Sequence, residues 1–335
     1  MIGLRRGLVR GARMSALGVY VPERIMTNDE ISTFLDTSDE WIASRTGIRE
    51  RRIAAPEQAA SDLGEVAARR CLESGGLDPA ELDLVIVTTI SPDHIMPATA
   101  SILAHKIGAA KAGAFDVQAG CTGFVYGLAI ATAFVSANIY TNVLVVGAEV
   151  LSKMVDWTDR STCVLFGDGA GAVLVQPTDN GSIFSFDLGN DGSGAPNLLV
   201  PAGASRMPAT HETVDAHLHA MHMTGSEVFK FATRTVAESC GKVLDDAGLT
   251  VEDVDLFVPH QANIRIIESA SRRLGMSEGQ VFANLDRYGN TSCASIPICL
   301  HEAAESGRLK KGDTLLLAGF GAGLTWGSCL TKWEL

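Results

Sequence analysis

The chain has 335 residues, 27 Lys and Arg against 39 Asp and Glu, a formal net charge of -12, and 46% hydrophobic residues. At roughly 150 residues per domain, that length predicts two domains or one two-lobed body of enzyme size, and the apolar content excludes a disordered tail protein. The acidic excess excludes a broad nucleic-acid footprint, which needs Lys and Arg gathered on one face, so an acidic partner would have to dock on a local basic patch.

Residues 1–13 carry Arg5, Arg6, Arg10 and Arg13 with no sustained apolar run behind them, which predicts a loose N-terminal extension rather than a signal peptide. Met14 is an alternative start, because residues 15–20 already read as the first strand. Short continuous apolar runs predict buried strands at 82–89, 114–117, 143–147, 172–175, 254–258 and 314–318. Helical stretches alternate with them at 61–74, 123–135, 227–247, 265–274 and 296–306, which argues for α/β layers with helices covering buried sheets. Residues 117–148 and 315–331 are uncharged. Glycines and asparagines break both into strand, turn and further element, where a membrane span needs about 20 apolar residues in succession. No membrane is implied.

The seven cysteines are odd in number and form no pair two residues apart. That fits neither a disulfide framework nor a metal cage, and it predicts a reducing, cytoplasmic setting. Residues 76–84 resemble residues 248–256 at an offset of 248 − 76 = 172, and Val145-Val146-Gly147 matches Leu317-Ala318-Gly319 at 319 − 147 = 172. One offset over two separate segments predicts a duplication, with halves at 14–178 and 179–335 and a site in the cleft between them.

Three residues stand where chemistry is expected. Cys121, between Gly120 and Gly123, follows a strand and opens a helix, where the helix dipole favours a thiolate. The same context also fits an inert buried thiol. His260 lies just past a buried strand, where open α/β sheets place site residues, although a structural histidine fits there too. Asn290 follows Gly289 before a helix, the ordinary setting of a turn and N-cap. Together they supply a nucleophile and two hydrogen-bond donors, the set that acyl transfer through a thioester requires. The glycine-rich runs 167–171 and 319–327 lead into strands and lack the context of a nucleotide-binding loop. His211, His217, His219 and His222 cluster in sequence, with His217 and His219 on one face if extended, but they lack the partners of a metal site and read as surface loop.

The motifs in order are Thr37-Ser38-Asp39-Glu40-Trp41-Ile42 with Arg45-Thr46-Gly47-Ile48, Ala119-Gly120-Cys121-Thr122-Gly123, and residues 165–170. Val258-Pro259-His260-Gln261-Ala262-Asn263, Tyr288-Gly289-Asn290-Thr291-Ser292 and residues 319–327 complete them. From about Ser15 onward the chain resembles the 3-oxoacyl-(acyl-carrier-protein) synthase III family of the thiolase superfamily. The resemblance implies an α/β, thiolase-like fold of five layers, α-β-α-β-α, from two duplicated five-stranded halves, as a homodimer. It implies a condensing enzyme that starts type II fatty-acid synthesis without a cofactor, with acyl-CoA and malonyl-acyl carrier protein as partners. Related condensing enzymes and acyltransferases of secondary metabolism share the Cys-His-Asn set and use other acceptors. By carry-over, Cys121 takes the acyl group, His260 and Asn290 assist decarboxylation, and the amides of Cys121 and Ala322 form the oxyanion hole. Ala322 replaces the family's frequent glycine at no cost to a backbone N–H. Phe320 and Met96 are expected to line the acyl pocket, Met96 in its own or a neighbouring subunit. Trp41, Arg45, Arg160 and Asn263 are expected at coenzyme A, with Ser226 standing where asparagine is frequent. Gln261, Ala262, Asn263, Ile264, Arg265 and Lys230 are expected to dock the carrier protein, with Arg234, Arg272 and Arg273 as weaker members of the basic patch.

Overall fold

A computed structural model describes residues 10–179 and 182–335; residues 1–9, with Arg5 and Arg6 of the expected extension, lie outside the described residues, as do Asn180 and Gly181 beside the expected divide. Strand β1 (Gly11–Tyr20) begins at Gly11 rather than at residue 15, because Gly11, Ala12 and Arg13 pair with Thr178, Pro177 and Gln176. Those three residues therefore belong to the sheet and not to a loose extension. A hairpin of β2 (Arg24–Thr27) and β3 (Glu50–Ile53) encloses α1 (Asn28–Ser32) and α2 (Asp39–Thr46), the latter capped by the Ser38 hydroxyl on the Trp41 amide.

The first half continues through α3 (Ala60–Gly75), β4 (Leu84–Thr88), α4 (Thr99–Ile107), β5 (Gly113–Val117), α5 (Gly123–Ser136), β6 (Val143–Val150) and β7 (Asp168–Thr178). Its sheet has the order β1-β7-β6-β4-β5, with β4 parallel to β5 and β6, and β7 antiparallel to both neighbours. The second half opens with β8 (Ile183–Asn190). A small pair, β9 (Leu198–Leu199) and β10 (His222–Met223), then flanks α6 (His211–Asp215). It closes through α7 (Gly225–Ala247), β11 (Leu256–Pro259), α8 (Ile264–Leu274), α9 (Leu285–Tyr288), α10 (Ser295–Glu305), β12 (Thr314–Gly321) and β13 (Thr325–Lys332). This sheet has the order β11-β12-β13-β8, the same relative order as β4-β6-β7-β1. It holds four strands rather than the five implied. Val281 makes a single parallel bridge to Phe257 where the first sheet carries β5.

The repeat offset holds in three dimensions. Helices α3 and α7 both end on a left-handed glycine, Gly76 and Gly248, and 248 − 76 = 172. The central helices start at Gly123 and Ser295, and 295 − 123 = 172. These two helices lie between the sheets: Phe124 and Leu128 of α5 and Ile296 and Leu300 of α10 join Val145, Val173, Leu315 and Leu317 in one core. A helix packed between two sheets has little surface to present to water, which explains why α5 is uncharged. Helices α3 and α4 cover the outer face of the first sheet, and α7 and α8 that of the second. On α7, Val228, Ala232, Val236, Cys240 and Val243 recur at helical spacing on the buried side. The layers are α-β-α-β-α. Among the described residues no helix is long and apolar enough to cross a membrane.

Candidate active site

The topology brings strand ends of the two halves to one place. Cys121 sits in the turn between β5 and α5, His260 directly follows β11, and Ala322 directly follows β12. Asn290 follows α9 and its cap Gly289, and bridges to Phe166 just before β7. All four line one cavity of about 1000 Å³.

The backbone around the thiol is built for close approach. A Cβ on Gly321 would lie 2.3 Å from the Cys121 nitrogen, and one on Gly120, whose φ is +56°, would lie 2.5 Å from the Ala322 nitrogen. Glycine at both positions lets the Cys121 and Ala322 turns touch, so their amides can serve one oxygen atom. Thr325 pins them together: its hydroxyl lies 2.9 Å from that of Thr122 and donates to the Ala119 carbonyl at 2.8 Å. The expected thiolate is not what the site holds at rest. Burial pushes the Cys121 thiol up to about 12, outweighing the contact with Ser292 that favours the anion.

His260 is 1% exposed, and its Nδ1 lies 2.7 Å from the Ser295 hydroxyl while Nε2 is buried without a partner among the described residues. Burial alone holds its pKa down to about 3, so the imidazole is neutral. The Phe320 ring packs edge-on at 5.3 Å and fixes the imidazole plane. Asn290 accepts the Ser292 amide at 2.8 Å through Oδ1, which fixes the amide group and leaves Nδ2 as its donor toward the cavity. Two donors from the second half thus face a thiol from the first. An electron pair developing on a carbonyl oxygen there would meet preorganised N–H groups.

Phe320, Arg45, Asn263, Ala262, Arg265 and Ser226 also line the cavity. Trp41 lies beneath two guanidinium groups, Arg45 at 4.5 Å and Arg160 at 4.6 Å from the ring centre. Asn263 caps α8 by accepting the Arg265 amide, and donates to the Arg45 carbonyl. Two expectations are corrected. Met96 does not line the cavity of its own chain; it is 84% exposed in the loop after β4, and its neighbour Ile95 lines the cavity instead. Gln261 is not on a docking surface. It is buried, donates to the Pro259 carbonyl and accepts the Asn284 amide, so it holds two chain segments together. Ile264 is half-buried against Ile48 and Leu285 rather than free on the surface. Lys230 and Arg234 on α7, with Arg265, Arg272 and Arg273 on α8, are exposed on two packed neighbours. The four histidines share no strand face: His211 lies in α6, His217 contacts Asp156, and His219 contacts Thr213.

Sequence reasoning missed the far wall of the cavity, Leu198, Val200, Met221 and Met223, and also Phe229. It missed Glu149 as well. This fully buried carboxylate accepts the Thr89 and Ser91 hydroxyls at 3.0 and 2.6 Å and the Cys293 amide at 3.4 Å, tying the loop after β4 to the turn after Asn290. Burial pushes its pKa up, against those hydrogen bonds. A lone acid ending the uncharged run 117–148 was the available signal.

Two family profiles match the chain, one described as 3-oxoacyl-[acyl-carrier-protein (ACP)] synthase III over residues 115–192 and the other as its C-terminal part over residues 244–333. The chain is 55% identical over 318 residues to the beta-ketoacyl-[acyl-carrier-protein] synthase III of Desulfitobacterium hafniense, covering 95% of this chain and 96% of that one. Among solved structures it is similar to the corresponding synthase III of Thermus thermophilus, with 47% identity and a TM-score of 0.89 over 96% of this chain and 99% of that one. The Aquifex aeolicus 3-oxoacyl-[acyl-carrier-protein] synthase III has 43% identity and a TM-score of 0.89, over 96% of this chain and 100% of that one.

Proposed function

Since the chain belongs to the 3-oxoacyl-[acyl-carrier-protein] synthase III family, we propose that Cys121, His260 and Asn290 carry out its reaction, the condensation that initiates type II fatty-acid synthesis. The observation that carries this reading is the meeting in one cavity of a thiol from the first half with the Asn290 amide and the His260 Nε2 of the second, the latter without a hydrogen-bond partner among the described residues.

Cys121 attacks the thioester of acyl-CoA, the C–S bond to coenzyme A breaks, and the thiol proton leaves with the coenzyme A sulfur. Malonyl-acyl carrier protein then enters. Loss of CO2 leaves an electron pair on the α-carbon, delocalised onto the thioester oxygen, where the N–H groups of His260 and Asn290 hold the enolate. That carbanion attacks the carbonyl of acyl-Cys121. The tetrahedral oxyanion is received by the amides of Cys121 and Ala322, and collapse expels the Cys121 thiolate, which takes a proton from solvent to restore the thiol, and gives 3-oxoacyl-carrier protein. No cofactor enters these steps; coenzyme A arrives as part of the substrate. Identity of 55% with a synthase III supports fatty-acid initiation over an acyltransferase with another acceptor.

Coenzyme A is assigned to the mouth of the cavity, its adenine on Trp41 in exchange for one of the two guanidinium groups now over that ring. A base stacked on an aromatic ring is worth about 1–3 kcal/mol. Trp41→Ala is therefore expected to raise KM for acyl-CoA roughly tenfold while leaving condensation by pre-acylated enzyme unchanged. An unchanged KM in initial-rate assays would reject this placement. The basic side chains on α7 and α8 beside the mouth suit an acidic carrier protein, which a chain of net charge -12 attracts only through a local patch. Ile95 and Met96, both 84% exposed, support a homodimer in which a second copy covers them and Met96 reaches the partner's acyl pocket. Seven free cysteines suit a reducing cytoplasm. The halves are assigned to residues 11–178, with β1 included and the nucleophile, and 179–335, with both donors.

Intact mass tests the cycle. Mixing the protein with a panel of acyl-CoAs should add one acyl group, and malonyl-acyl carrier protein should remove it. No gain with any acyl-CoA rejects the reading, and a gain that the chase leaves in place points to a different acceptor.

A further inference from the structure

His260 has two nitrogens and only one carries the proton when the ring is neutral. Which one decides whether the ring donates to the cavity or accepts from it. The partner on Nδ1 is the Ser295 hydroxyl, the first residue of α10, 2% exposed and 2.7 Å away. A hydroxyl can play either part, so its other bonds matter. The Gln261 amide donates to the same Ser295 oxygen at 3.4 Å. The backbone thus occupies an acceptor site of the hydroxyl, and His260 Nδ1 is the acceptor left for its hydrogen among the described hydrogen bonds of Ser295. On the other side of the ring, Nε2 is buried with no partner among the described residues.

We propose that Ser295 is a positioning residue that donates to Nδ1 and so keeps the His260 proton on Nε2, making the imidazole a standing N–H donor to the cavity. Serine acts here through histidine and touches no substrate. In the opposite tautomer Nε2 would turn a lone pair toward the enolate oxygen, and repulsion would replace the hydrogen bond. The inference deepens the proposed condensation and rests on that reading for its rate consequences, whereas the tautomer itself is a property of the free protein. It also separates the two half-reactions: acyl transfer to Cys121 places no negative oxygen at Nε2, so Ser295 should matter for condensation alone.

Two measurements test it. Nitrogen NMR of 15N-histidine-labelled wild-type protein at pH 7, assigned by loss of the signal in His260→Ala, should show an unprotonated Nδ1 and a protonated Nε2. A protonated Nδ1 would overturn the proposal whatever the enzyme's activity. In kinetics, Ser295→Ala should lower kcat for condensation about tenfold with unchanged KM for malonyl-acyl carrier protein, while acylation of Cys121 by acyl-CoA keeps its rate. Ser295→Thr, which retains the hydroxyl, should recover most of the loss. Equal loss in both half-reactions, or full condensation by Ser295→Ala with an unchanged nitrogen spectrum, would overturn it. Should Ser295→Ala not fold, the wild-type spectrum still decides the tautomer. Failure of acylation with every acyl-CoA would instead strike the functional reading and leave the tautomer to the spectrum.

Discussion

Cys121→Ala is expected to abolish acyl transfer, with a loss of at least about 10⁴-fold in turnover, because a covalent intermediate has no substitute attachment point. The other cysteines cannot take over. Cys71, Cys163, Cys240, Cys293, Cys299 and Cys329 are buried, and none of them lines the cavity. Cys293 is the instructive one, since 293 − 121 = 172 makes it the counterpart of Cys121 in the other half. Its sulfur lies 3.2 Å from the Gly120 carbonyl as a donor, committed to the backbone that positions the nucleophile. The measurement is intact mass after exposure to acyl-CoA: the variant should gain nothing. A gain of one acyl group in Cys121→Ala would show that another side chain is the acceptor. Folding is not expected to suffer, because alanine removes only a sulfur from a site that borders open cavity.

His260→Ala should divide the reaction. The ring is neutral and too weak a base to take the Cys121 proton, so acylation of Cys121 should proceed at close to the wild-type rate. Condensation should fall by roughly 10²–10³, the usual loss of one preorganised donor to a developing oxyanion. Single-turnover assays separate the steps: acyl-CoA alone reports the first, and release of CO2 from malonyl-acyl carrier protein reports the second. A variant that decarboxylates at the wild-type rate would remove His260 from the enolate site. Slowed acylation instead would assign the ring to activation of Cys121, a task for which a base with a pKa near 3 is poorly suited.

Much of the frame was legible because a sheet buried on both faces writes itself as unbroken apolar runs. The expected strand at 82–89 contains β4, and the uncharged run 117–148 opens on the last residue of β5 and holds α5 and most of β6, in the order its glycines and asparagines suggested. Helix α4 was missed although Ala100, Leu103, Ala104 and Ile107 stand at helical spacing, because nine residues give too short a period to separate from a loop. The three residues with chemistry were visible as types at strand-to-helix junctions; their meeting in space was not, since it depends on how two halves pack. The choice between thiolate and neutral thiol at Cys121 stayed open for a similar reason. A helix dipole can be read from sequence, whereas burial of Cys121 belongs to the finished fold. Gln261 shows the limit of reasoning by motif: it was turned inward by packing that a short segment does not encode.

The reacting groups and the far wall of the cavity belong to different parts of the chain. Cys121, His260, Asn290 and Ala322 hang from the ends of sheet strands and central helices, in the duplicated frame. Leu198, Val200, Met221 and Met223 come from an excursion between β8 and α7, whose own two-stranded pairing joins neither main sheet. Rewriting that excursion would alter the far wall of the cavity and leave in place the frame that carries Cys121, His260 and Asn290. A swap of residues 198–223 between relatives is therefore expected to change the preference among acyl-CoAs with little change in turnover, as read from initial rates on a panel of acyl-CoAs.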